Sequence, residues 1–359
     1  MTGSIILKAK PTSVLEASYN AQMIAFAPVV FQVARSLRDL GVLACLANYG
    51  KKGTTSAQLA EELDQTLYGI DVLLEIGEKI GMVELRDDDT YALLPTGRFI
   101  LSDEMTRVNM DFTHDVCYQG LYYLDEAIET GKPAGLKVFG EWDTVYEALS
   151  SLPKQAQKSW FDFDHFYSDS AFPAALKYVF RDKPATLLDI GGNTGKWAMK
   201  CCQFDPDVTV SMLDLPGQLE MAAKNIEEAG LSDRINRYPM NLLDHSVPFP
   251  VGAEALWMSQ FLVCFSEEDV VELLKRSAAV MQPESRLFIL DTFFDQQRNE
   301  VGEFCLQASS LYFTCMANGN SRMYSLKTMK ACLEKAGLVI EEQFEDCGVS
   351  HLLLKCSLA

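Results

Sequence analysis

The sequence predicts an α/β protein in which a mainly helical N-terminal region precedes an open, mostly parallel sheet of seven strands covered by helices. From residue 184 onward, short apolar runs alternate with amphipathic segments of helical length, which is the order of a parallel sheet with crossover helices. A glycine-dense turn at 191–195 follows one apolar run and opens a helix-like segment. Such turns are typical of open sheets that bind a ligand at their strand ends.

The first region, residues 1–105, has the element order of a winged helix. Apolar residues at helical spacing predict helices over 11–50, and Thr55 is a capping residue that begins the next helix. The elements that follow are helices at 55–63 and 69–80 and a hairpin with strands at 82–85 and 90–94. Winged helices commonly bind DNA, but a formal net charge of −19 opposes attraction to phosphates. We therefore expect an oligomerisation or substrate-covering module with no nucleic-acid partner.

The second region, residues 106–183, is predicted to be a helical linker or substrate-covering segment, and it is rich in aromatic residues. The third region, residues 184–359, carries the alternating pattern. Its predicted strands lie at 186–190, 208–213, 235–239, 254–261, 286–293, 337–344 and 350–357. Its predicted helices lie at 195–203, 217–229, 267–281 and 325–336. The last two strands, joined through Gly348, are expected to form an antiparallel hairpin.

Composition limits the classes of protein to which the chain can belong. The chain has 359 residues, 48% of them hydrophobic, which is ample for two domains with their own cores. No apolar run reaches the length of a membrane-spanning helix, and residues 1–10 lack the features of a signal peptide. The 10 cysteines and 4 histidines show no metal-ligand spacing, so no metal site is predicted. Scattered cysteines without a disulfide pattern predict a reduced, cytoplasmic protein.

The glycine-dense turn and the acids around it predict a nucleoside site. Asp189 ends the first apolar run, and Asp214 ends the next one. An acid in the position of Asp214 accepts hydrogen bonds from ribose hydroxyls, while glycines let the backbone approach the ligand. The glycines at 191, 192 and 195 do not satisfy G-x-G-x-x-G, which argues against a dinucleotide. The alternative is a glycine-rich turn that holds no ligand.

These motifs identify the chain as similar to a known family. The segments LLDIGGNTG at 187–195, MLDLPG at 212–217, PMNLLD at 239–244, WMSQFLVCFSEED at 257–269 and NGNSRMYS at 318–325 resemble those of the S-adenosylmethionine-dependent small-molecule O-methyltransferases. That family includes caffeate, hydroxyindole and polyketide O-methyltransferases. The resemblance covers nearly the whole chain. It implies a winged-helix dimerisation domain, a Rossmann-like methyltransferase domain, a homodimer, S-adenosylmethionine as cofactor and a small-molecule acceptor, with no membrane partner.

The resemblance also implies which residues hold the cofactor. Asp189 and the glycine loop would line its methionine part, Asp214 and Leu215 its ribose, and Asn241 and Leu242 its adenine. Ser259 stands where the family has a lysine that contacts the cofactor, and Asn241 stands where it has an aspartate. The loop residues carried over are Gly191, Gly192, Asn193 and Gly195.

The catalytic positions depart from the family pattern. Val263 stands where the family has its general base, a histidine, and Ser321 replaces one of the two acids that orient that histidine. The other acid is present as Asp291. A valine takes no proton, so either the acceptor ionises unaided or another residue serves as base. The candidates are His165 and Asp291, with His114, Tyr118 and Tyr167 as weaker ones.

In the family, the segment corresponding to 304–324 lines the acceptor pocket. Its apolar and aromatic residues here predict an apolar or aromatic acceptor: Phe304, Leu306, Leu311, Tyr312, Phe313, Met316, Met323 and Tyr324.

Three functions remain open from the sequence. The first is methyl transfer to a small acceptor, at oxygen, with a base unlike that of the family. The second is a family member that keeps the cofactor but no longer methylates, such as a decarboxylase, a hydroxylase or a ligand-binding protein. The third is an acidic winged-helix regulator that senses a nucleoside. The sequence names neither the acceptor nor the pathway.

Overall fold

The computed structural model describes residues 13–359, which divide into two compact units. The first ends at Asp111, and the second spans Phe112–Ala359. Residues 1–10, on which the signal-peptide prediction was made, lie outside the described part. None of the helices within 13–359 is both long and apolar enough to cross a bilayer.

The first unit has the predicted element order. Its helices surround one apolar core, and a short antiparallel hairpin pairs Val83 with Leu93. Thr55 caps its helix through a full capping box with Gln58, which explains the sharp start there. The elements are α1 (Val14–Ala25), α2 (Ala27–Asp39), α3 (Val42–Tyr49), α4 (Ser56–Glu62), α5 (Leu67–Lys79), β1 (Val83–Leu85), β2 (Tyr91–Leu93), α6 (Pro95–Ser102) and α7 (Glu104–Phe112).

Helix α6 was not predicted from the sequence. It packs so closely on the hairpin that a Cβ at Gly97 would lie 2.4 Å from the carbonyl oxygen of Met82. A glycine inside a helix ordinarily disfavours that helix, so local propensity pointed away from it. Close packing on the hairpin compensates.

The second unit carries a seven-stranded sheet in the order β5-β4-β3-β6-β7-β9-β8. Five strands are parallel, and the last two form the predicted antiparallel hairpin beside β7. All seven predicted strands are present, with ends within a few residues of those expected. The strands are β3 (Thr186–Ile190), β4 (Thr209–Asp214), β5 (Ile235–Pro239), β6 (Ala255–Ser259), β7 (Arg286–Asp291), β8 (Leu338–Cys347) and β9 (His351–Leu358).

Helices cover both faces of this sheet. Alternate residues of the central strands enter two separate apolar clusters, one on each face, so the strands read as continuous apolar runs. The helices are α8 (Leu124–Thr130), α9 (Val145–Ala148), α10 (Lys154–Asp169), α11 (Phe172–Val179), α12 (Lys196–Phe204), α13 (Pro216–Glu228), α14 (Glu267–Val280), α15 (Glu300–Tyr312) and α16 (Leu326–Lys335).

Two features of the second unit position the candidate site. The carboxyl ends of β3, β4, β6 and β7 meet at one edge of the sheet, where open α/β sheets bind ligands. Two turns of π-helix, Thr113–Cys117 and Phe313–Ala317, follow α7 and α15. π-helical turns occur frequently at functional sites.

Candidate active site

A cavity of about 350 Å³ lies at the carboxyl ends of β3, β4, β6 and β7. Its walls come from two sets of elements. The glycine loop and the ends of β3, β4 and β6 form what we term the cofactor end. Helix α10, helix α15 and the end of β7 form what we term the acceptor end.

The glycine loop at the cofactor end is held in a conformation that its residues suit. Gly191, Asn193 and Gly195 all have positive φ, at 80°, 46° and 79°. A Cβ at Gly191 would lie 2.3 Å from the ring of Phe261, so only glycine fits between the loop and that ring. Asn193 tolerates left-handed angles better than other non-glycine residues. The loop therefore presents bare backbone to the cavity.

Asp214, at the end of β4, fastens the loop. Its Oδ2 accepts from the backbone N–H of Asn193 at 2.7 Å, and its Oδ1 accepts from that of Leu215 at 2.7 Å. Burial raises the pKa of Asp214 to about 6, although these two backbone donors oppose the rise. Each oxygen keeps a lone pair, so the carboxylate can accept further hydrogen bonds from a ligand.

Asp189 lies beneath the loop and is 2% exposed. Its Oδ2 has no hydrogen-bond partner, and burial, with the charge of Asp214 added, raises its pKa to about 8. Trp197 and Trp257 stack at 3.7 Å in the same part of the cavity wall, and each has an unpartnered indole N–H. Unsatisfied buried polar atoms are rare in folded proteins, which indicates that a ligand completes this end of the cavity.

The end of β6 supplies two more unpartnered groups. The hydroxyl of Ser259 and the side-chain amide of Gln260 are buried without partners and line the cavity. Gln260 has φ of +48°, a strained angle for this residue, and its N–H donates to the carbonyl of Leu290. Sequence reasoning placed Ser259 at the site but missed Gln260, because no sequence signal marks a positive φ at a glutamine.

Four of the remaining predicted cofactor residues lie on the cavity wall, and Gly195 does not. Gly192, Leu215, Asn241 and Leu242 all line the cavity. Gly195 does not belong to its wall, contrary to expectation. Its conformation starts α12, and its Cα faces Ala222 and Ile226, where an added Cβ would find ordinary contacts at 3.5 and 3.4 Å. Its role in the structure is to turn the chain into the helix.

Aromatic side chains form most of the acceptor end. Phe112 stacks on Phe163 at 4.1 Å and meets the edge of Tyr312 at 4.9 Å. Trp160 donates its indole N–H to the hydroxyl of Tyr312 at 2.6 Å, and Phe313 packs on the same tyrosine. We refer to Phe112, Trp160, Phe163, Tyr312 and Phe313 as the aromatic wall. All five line the cavity, and helical spacing alone did not distinguish them from core residues.

His165, the candidate base, lies on the cavity wall. Its ring stacks on Phe161, and its Nδ1 is 3.9 Å from carboxyl oxygens of both Asp164 and Asp169. Burial, with the nearby charge of Lys196, lowers the pKa of His165. The imidazole is therefore neutral near pH 7 and able to accept a proton.

The weaker candidates lie elsewhere. Among the described residues that line the cavity, His114, Tyr118 and Tyr167 are absent. His114 holds Asp115 through an Nδ1–Oδ1 contact of 2.7 Å, and Asp115 also accepts from Ser159. Tyr167 packs on Phe163. These side chains support the acceptor end without lining it.

Asp291 is buried at the end of β7, not facing solvent as an acid at a strand tip ordinarily would. It is 1% exposed, its Oδ1 accepts from the N–H of Thr292, and its Oδ2 has no partner. Burial raises its pKa to about 7. Val263 lines the same cavity, whereas the hydroxyl of Ser321 donates to Asn318 and takes no part in the wall. Asp291 and Val263 thus line the same cavity, and one carboxyl oxygen of Asp291 has no partner.

The segment 304–324 contributes less of the wall than expected. Tyr312, Phe313 and Met323 line the cavity. Phe304 is 70% exposed and Leu311 42% exposed, so both lie on the outer face of α15. Leu306, Met316 and Tyr324 are buried core residues away from the wall. A helix that bounds a cavity presents only one face to it, and residue type alone did not indicate which.

The residues at the cofactor end fit S-adenosylmethionine. Its sulfonium and ammonium groups are positive, and Asp189 and Asp214 provide carboxyls beside the glycine loop. The loop backbone leaves room for the close approach of a ligand. Ribose hydroxyls would donate to Asp214, which has lone pairs to accept them.

Comparison with known families and relatives agrees with this geometry. A family model described as an O-methyltransferase domain matches residues 169–338, and one described as a Dimerisation2-like domain matches residues 19–91. The first match includes every residue predicted to hold the cofactor. The second falls on the region predicted to be a winged helix.

Three curated relatives carry out different reactions. The chain is 26% identical to L-tyrosine C(3)-methyltransferase of Streptomyces lavendulae, over 88% of this chain and 85% of the relative. It is 25% identical to mitomycin biosynthesis 6-O-methyltransferase of the same organism, over 86% and 85%. It is 28% identical to aclacinomycin 10-hydroxylase RdmB of Streptomyces purpurascens, over 74% and 69%.

Solved structures share the fold. The apo form of the S-adenosylmethionine-dependent methyltransferase SibL superposes with a TM-score of 0.71 at 22% identity, covering 94% of this chain and 98% of that one. The O-methyltransferase NcsB1 of neocarzinostatin biosynthesis, in complex with S-adenosylmethionine and a naphthoic acid, gives 0.65 at 18% identity, covering 93% and 96%. At these identities, the likeness describes the fold.

Proposed function

We propose that the chain is a member of the S-adenosylmethionine-dependent O-methyltransferase family and that it transfers the methyl group of this cofactor to an oxygen of a small, apolar or aromatic acceptor. The observation that carries the proposal is the cofactor end itself. A loop of bare backbone is fastened to Asp214 at the tip of β4, beside the unpartnered carboxyl oxygen of Asp189. A bound ligand that donates hydrogen bonds would satisfy these groups.

The two ends of the cavity have different functions in this proposal. The cofactor supplies an electrophilic methyl group when bound, and the protein aligns it with the acceptor and excludes water. We assign cofactor binding to Asp189, Gly191, Gly192, Asn193, Asp214, Leu215, Asn241, Leu242 and Ser259.

We assign the proton-accepting role to His165, with Asp291 as the second candidate. An acceptor hydroxyl must lose its proton during transfer, and a positioned base contributes about 10²–10⁴ in rate. His165 lines the cavity, and its lowered pKa keeps it unprotonated near pH 7. Asp291 faces the cavity with one unpartnered oxygen, so it too can contact the acceptor.

A family member that has left methylation is the less favoured alternative. The matching domain model describes O-methyltransferases, and two of the three relatives named above are methyltransferases. Because one of these three relatives is a hydroxylase, an experiment that distinguishes the two functions is needed. Label transfer from S-adenosyl-[methyl-³H]methionine to a small molecule supports our proposal, whereas cofactor that binds without being consumed supports the alternative.

We further propose that the protein is a cytoplasmic homodimer. The Dimerisation2-like match and several exposed apolar side chains of α1 and α2, including Val14, Leu15 and Ile24, support an association of two copies. The cysteines are all unpaired thiols, as expected in a reducing compartment.

The first test is isothermal titration of the purified protein with S-adenosylmethionine, beside an Asp214→Ala variant. We expect micromolar binding that the variant loses, because the substitution removes both the ribose acceptor and the clamp on Asn193. Asp162→Asn is the matched control, since that acid lies on the exposed surface of α10 and pairs with Lys158. Absence of binding by the unaltered protein would overturn the proposal.

A further inference from the structure

We propose that the methyl acceptor is an aromatic molecule that carries a positively charged amine, and that Asp291 and the aromatic wall hold this cation. The inference rests on the proposed function, since it names the class of acceptor for the same cavity. It begins from the charges that line the cavity.

Carboxyl groups outnumber basic groups around the cavity. Among residues 13–359, the wall includes six acids: Glu147, Asp164, Asp189, Asp214, Asp269 and Asp291. Its basic side chains are Lys196 and His165. Lys196 is paired with Asp169 at 2.7 Å, and His165 is neutral near pH 7. The cavity is therefore strongly negative wherever its acids are ionised.

The cofactor accounts for only part of this charge. Its positive groups and ribose would engage Asp189 and Asp214, which lie beside the glycine loop. Asp291 and Asp164 are at the other end. Asp291 ends β7 and Asp164 lies on α10, the elements that form the acceptor end, and both acids line the cavity. Two carboxyls thus remain near the acceptor.

Asp291 is the group whose geometry points to a ligand. It is 1% exposed, it belongs to the cavity wall, and its Oδ2 has no hydrogen-bond partner. A buried carboxyl is stable as an anion only when it is paired. An ammonium group of the acceptor would provide both the counter-charge and the missing donor.

The aromatic wall suits the same ligand. Phe112 stacks on Phe163 and makes a T-shaped contact with Tyr312, so aromatic rings bound the acceptor end. Aromatic faces attract ammonium groups, and desolvation strengthens that attraction. A carboxylate-bearing acceptor would instead meet Asp291 and Asp164 with no unpaired lysine or arginine among the described residues of the wall.

Three probes of matched shape test the inference: tyramine, which is a cation, 4-ethylphenol, which is neutral, and 3-(4-hydroxyphenyl)propanoate, which is an anion. Each is titrated into the full chain saturated with S-adenosylhomocysteine, at pH 8, so that binding is measured without turnover. We expect tyramine to bind at least about tenfold tighter than 4-ethylphenol, and the anion to bind weakest.

Substitutions then separate anchoring from proton transfer. Asp291→Asn should remove the preference for tyramine while leaving the affinities for 4-ethylphenol and S-adenosylhomocysteine unchanged. Asp164→Asn should weaken tyramine binding less, and the surface control Asp162→Asn should change nothing. Loss of a base that contacts only the phenol hydroxyl, which all three probes share, would change their affinities alike and would leave the preference for tyramine in place.

The outcomes are distinct. Equal binding of the three probes, tighter binding of the anion, no binding of any probe, or an Asp291→Asn variant that keeps the preference for tyramine would each overturn the inference. S-adenosylhomocysteine binding is recorded first in every sample. Its failure would count against the proposed function itself, and its success followed by an unfavourable probe series would count only against the amine.

Discussion

The cofactor end and the acceptor end of the cavity differ in what holds them in shape. At the cofactor end, the backbone determines the shape. The glycine loop has positive φ angles, and its N–H at Asn193 donates to Asp214, which also accepts from the N–H of Leu215. At the acceptor end, side chains from α7, α10 and α15 meet through ring contacts and one indole–hydroxyl hydrogen bond. A site whose shape depends on backbone conformation accepts few residue types at each position. A wall of side chains can instead bind a different ligand when those side chains are substituted.

Removing the candidate base should have the largest effect, and it should be confined to the acceptor end. His165→Gln keeps a polar side chain of similar reach but takes up no proton near pH 7. We expect kcat for methyl transfer to fall by about 10²–10⁴, with the affinity for S-adenosylmethionine unchanged. Steady-state kinetics with the acceptor and calorimetry with the cofactor measure the two quantities.

His114→Gln is the matched control for that experiment. His114 contacts Asp115 and is not on the cavity wall, so its substitution should leave kcat as it is. If His165→Gln is as active as the unaltered protein, the proton goes elsewhere, and Asp291 becomes the first candidate.

The next largest effect should occur at the cofactor end. In Gly191→Ala, the new methyl group would lie 2.3 Å from the Phe261 ring, at a φ of +80°. Overpacking of this kind destabilises a fold by about 1–3 kcal/mol. Because the loop must shift to relieve it, affinity for S-adenosylmethionine should fall at least about tenfold, which calorimetry measures.

Asn193→Gly serves as its counterpart. Glycine adopts the φ of 46° found at Asn193 without strain, and the backbone N–H that donates to Asp214 is retained. The variant should lose less affinity for the cofactor than Gly191→Ala does, because its loop need not shift. Equal affinities for Gly191→Ala and Asn193→Gly would contradict the view that backbone geometry defines this end.

The same contrast explains what could be predicted from sequence. The strands and the nucleoside site were visible because Asp189, the glycine turn and Asp214 lie within a single strand–loop–helix–strand segment. The aromatic wall was not, since Phe112, Phe163 and Tyr312 are distant in sequence and meet only in the folded chain. Each of them also fits the pattern of a core residue.

Burial is a further property that the sequence did not reveal. Asp291 was visible as an acid at a strand end, but its surroundings determine that it is 1% exposed and has an unpartnered oxygen. Gly195 illustrates a second property that the sequence did not reveal. It belongs to the motif that suggested a ligand, yet its Cα faces α13, because one glycine of the turn serves helix packing. A motif does not distinguish these two roles.

A pH-dependent loss of stability should follow from the buried acids at both ends. Burial raises the pKa of Asp189 to about 8 and that of Asp291 to about 7, above the ordinary value of about 4. The folded chain therefore binds more protons than the unfolded chain between those values, and its stability falls as pH rises from 6 to 8. In the absence of cofactor, we expect Tm at pH 8 to be about 3 °C or more below that at pH 6.

Asp189→Asn isolates this effect, because the amide does not ionise. The Tm of the variant should fall less than that of the unaltered protein between pH 6 and pH 8. Buried His351 acts in the opposite sense, since its pKa is lowered to about 4 and its stabilising effect is lost as pH falls. Because the variant and the unaltered protein both contain His351, its contribution cancels when their Tm values are subtracted. If the two curves are parallel, Asp189 is not the buried neutral acid inferred here.

The smallest effect should come from the one hydrogen bond within the aromatic wall. Tyr312→Phe keeps the ring contacts with Phe112 and Phe313 but leaves the half-buried indole N–H of Trp160 without its acceptor. Loss of one such bond lowers the free energy of unfolding by about 1 kcal/mol. The corresponding fall in Tm is about 2–4 °C, which thermal unfolding monitored by circular dichroism resolves.

That variant also tests how independent the two ends are. The hydroxyl of Tyr312 accepts its hydrogen bond from Trp160 at the acceptor end, so the affinity for S-adenosylmethionine should stay the same while Tm falls. Tyr122→Phe, at a side chain that is 86% exposed, is the control for removing a tyrosine hydroxyl and should change neither. A Tyr312→Phe variant that binds cofactor more weakly would show that the acceptor wall supports the loop. In that case, a change of acceptor could not be made by substitution in the wall alone, because each new wall would also have to preserve the cofactor site.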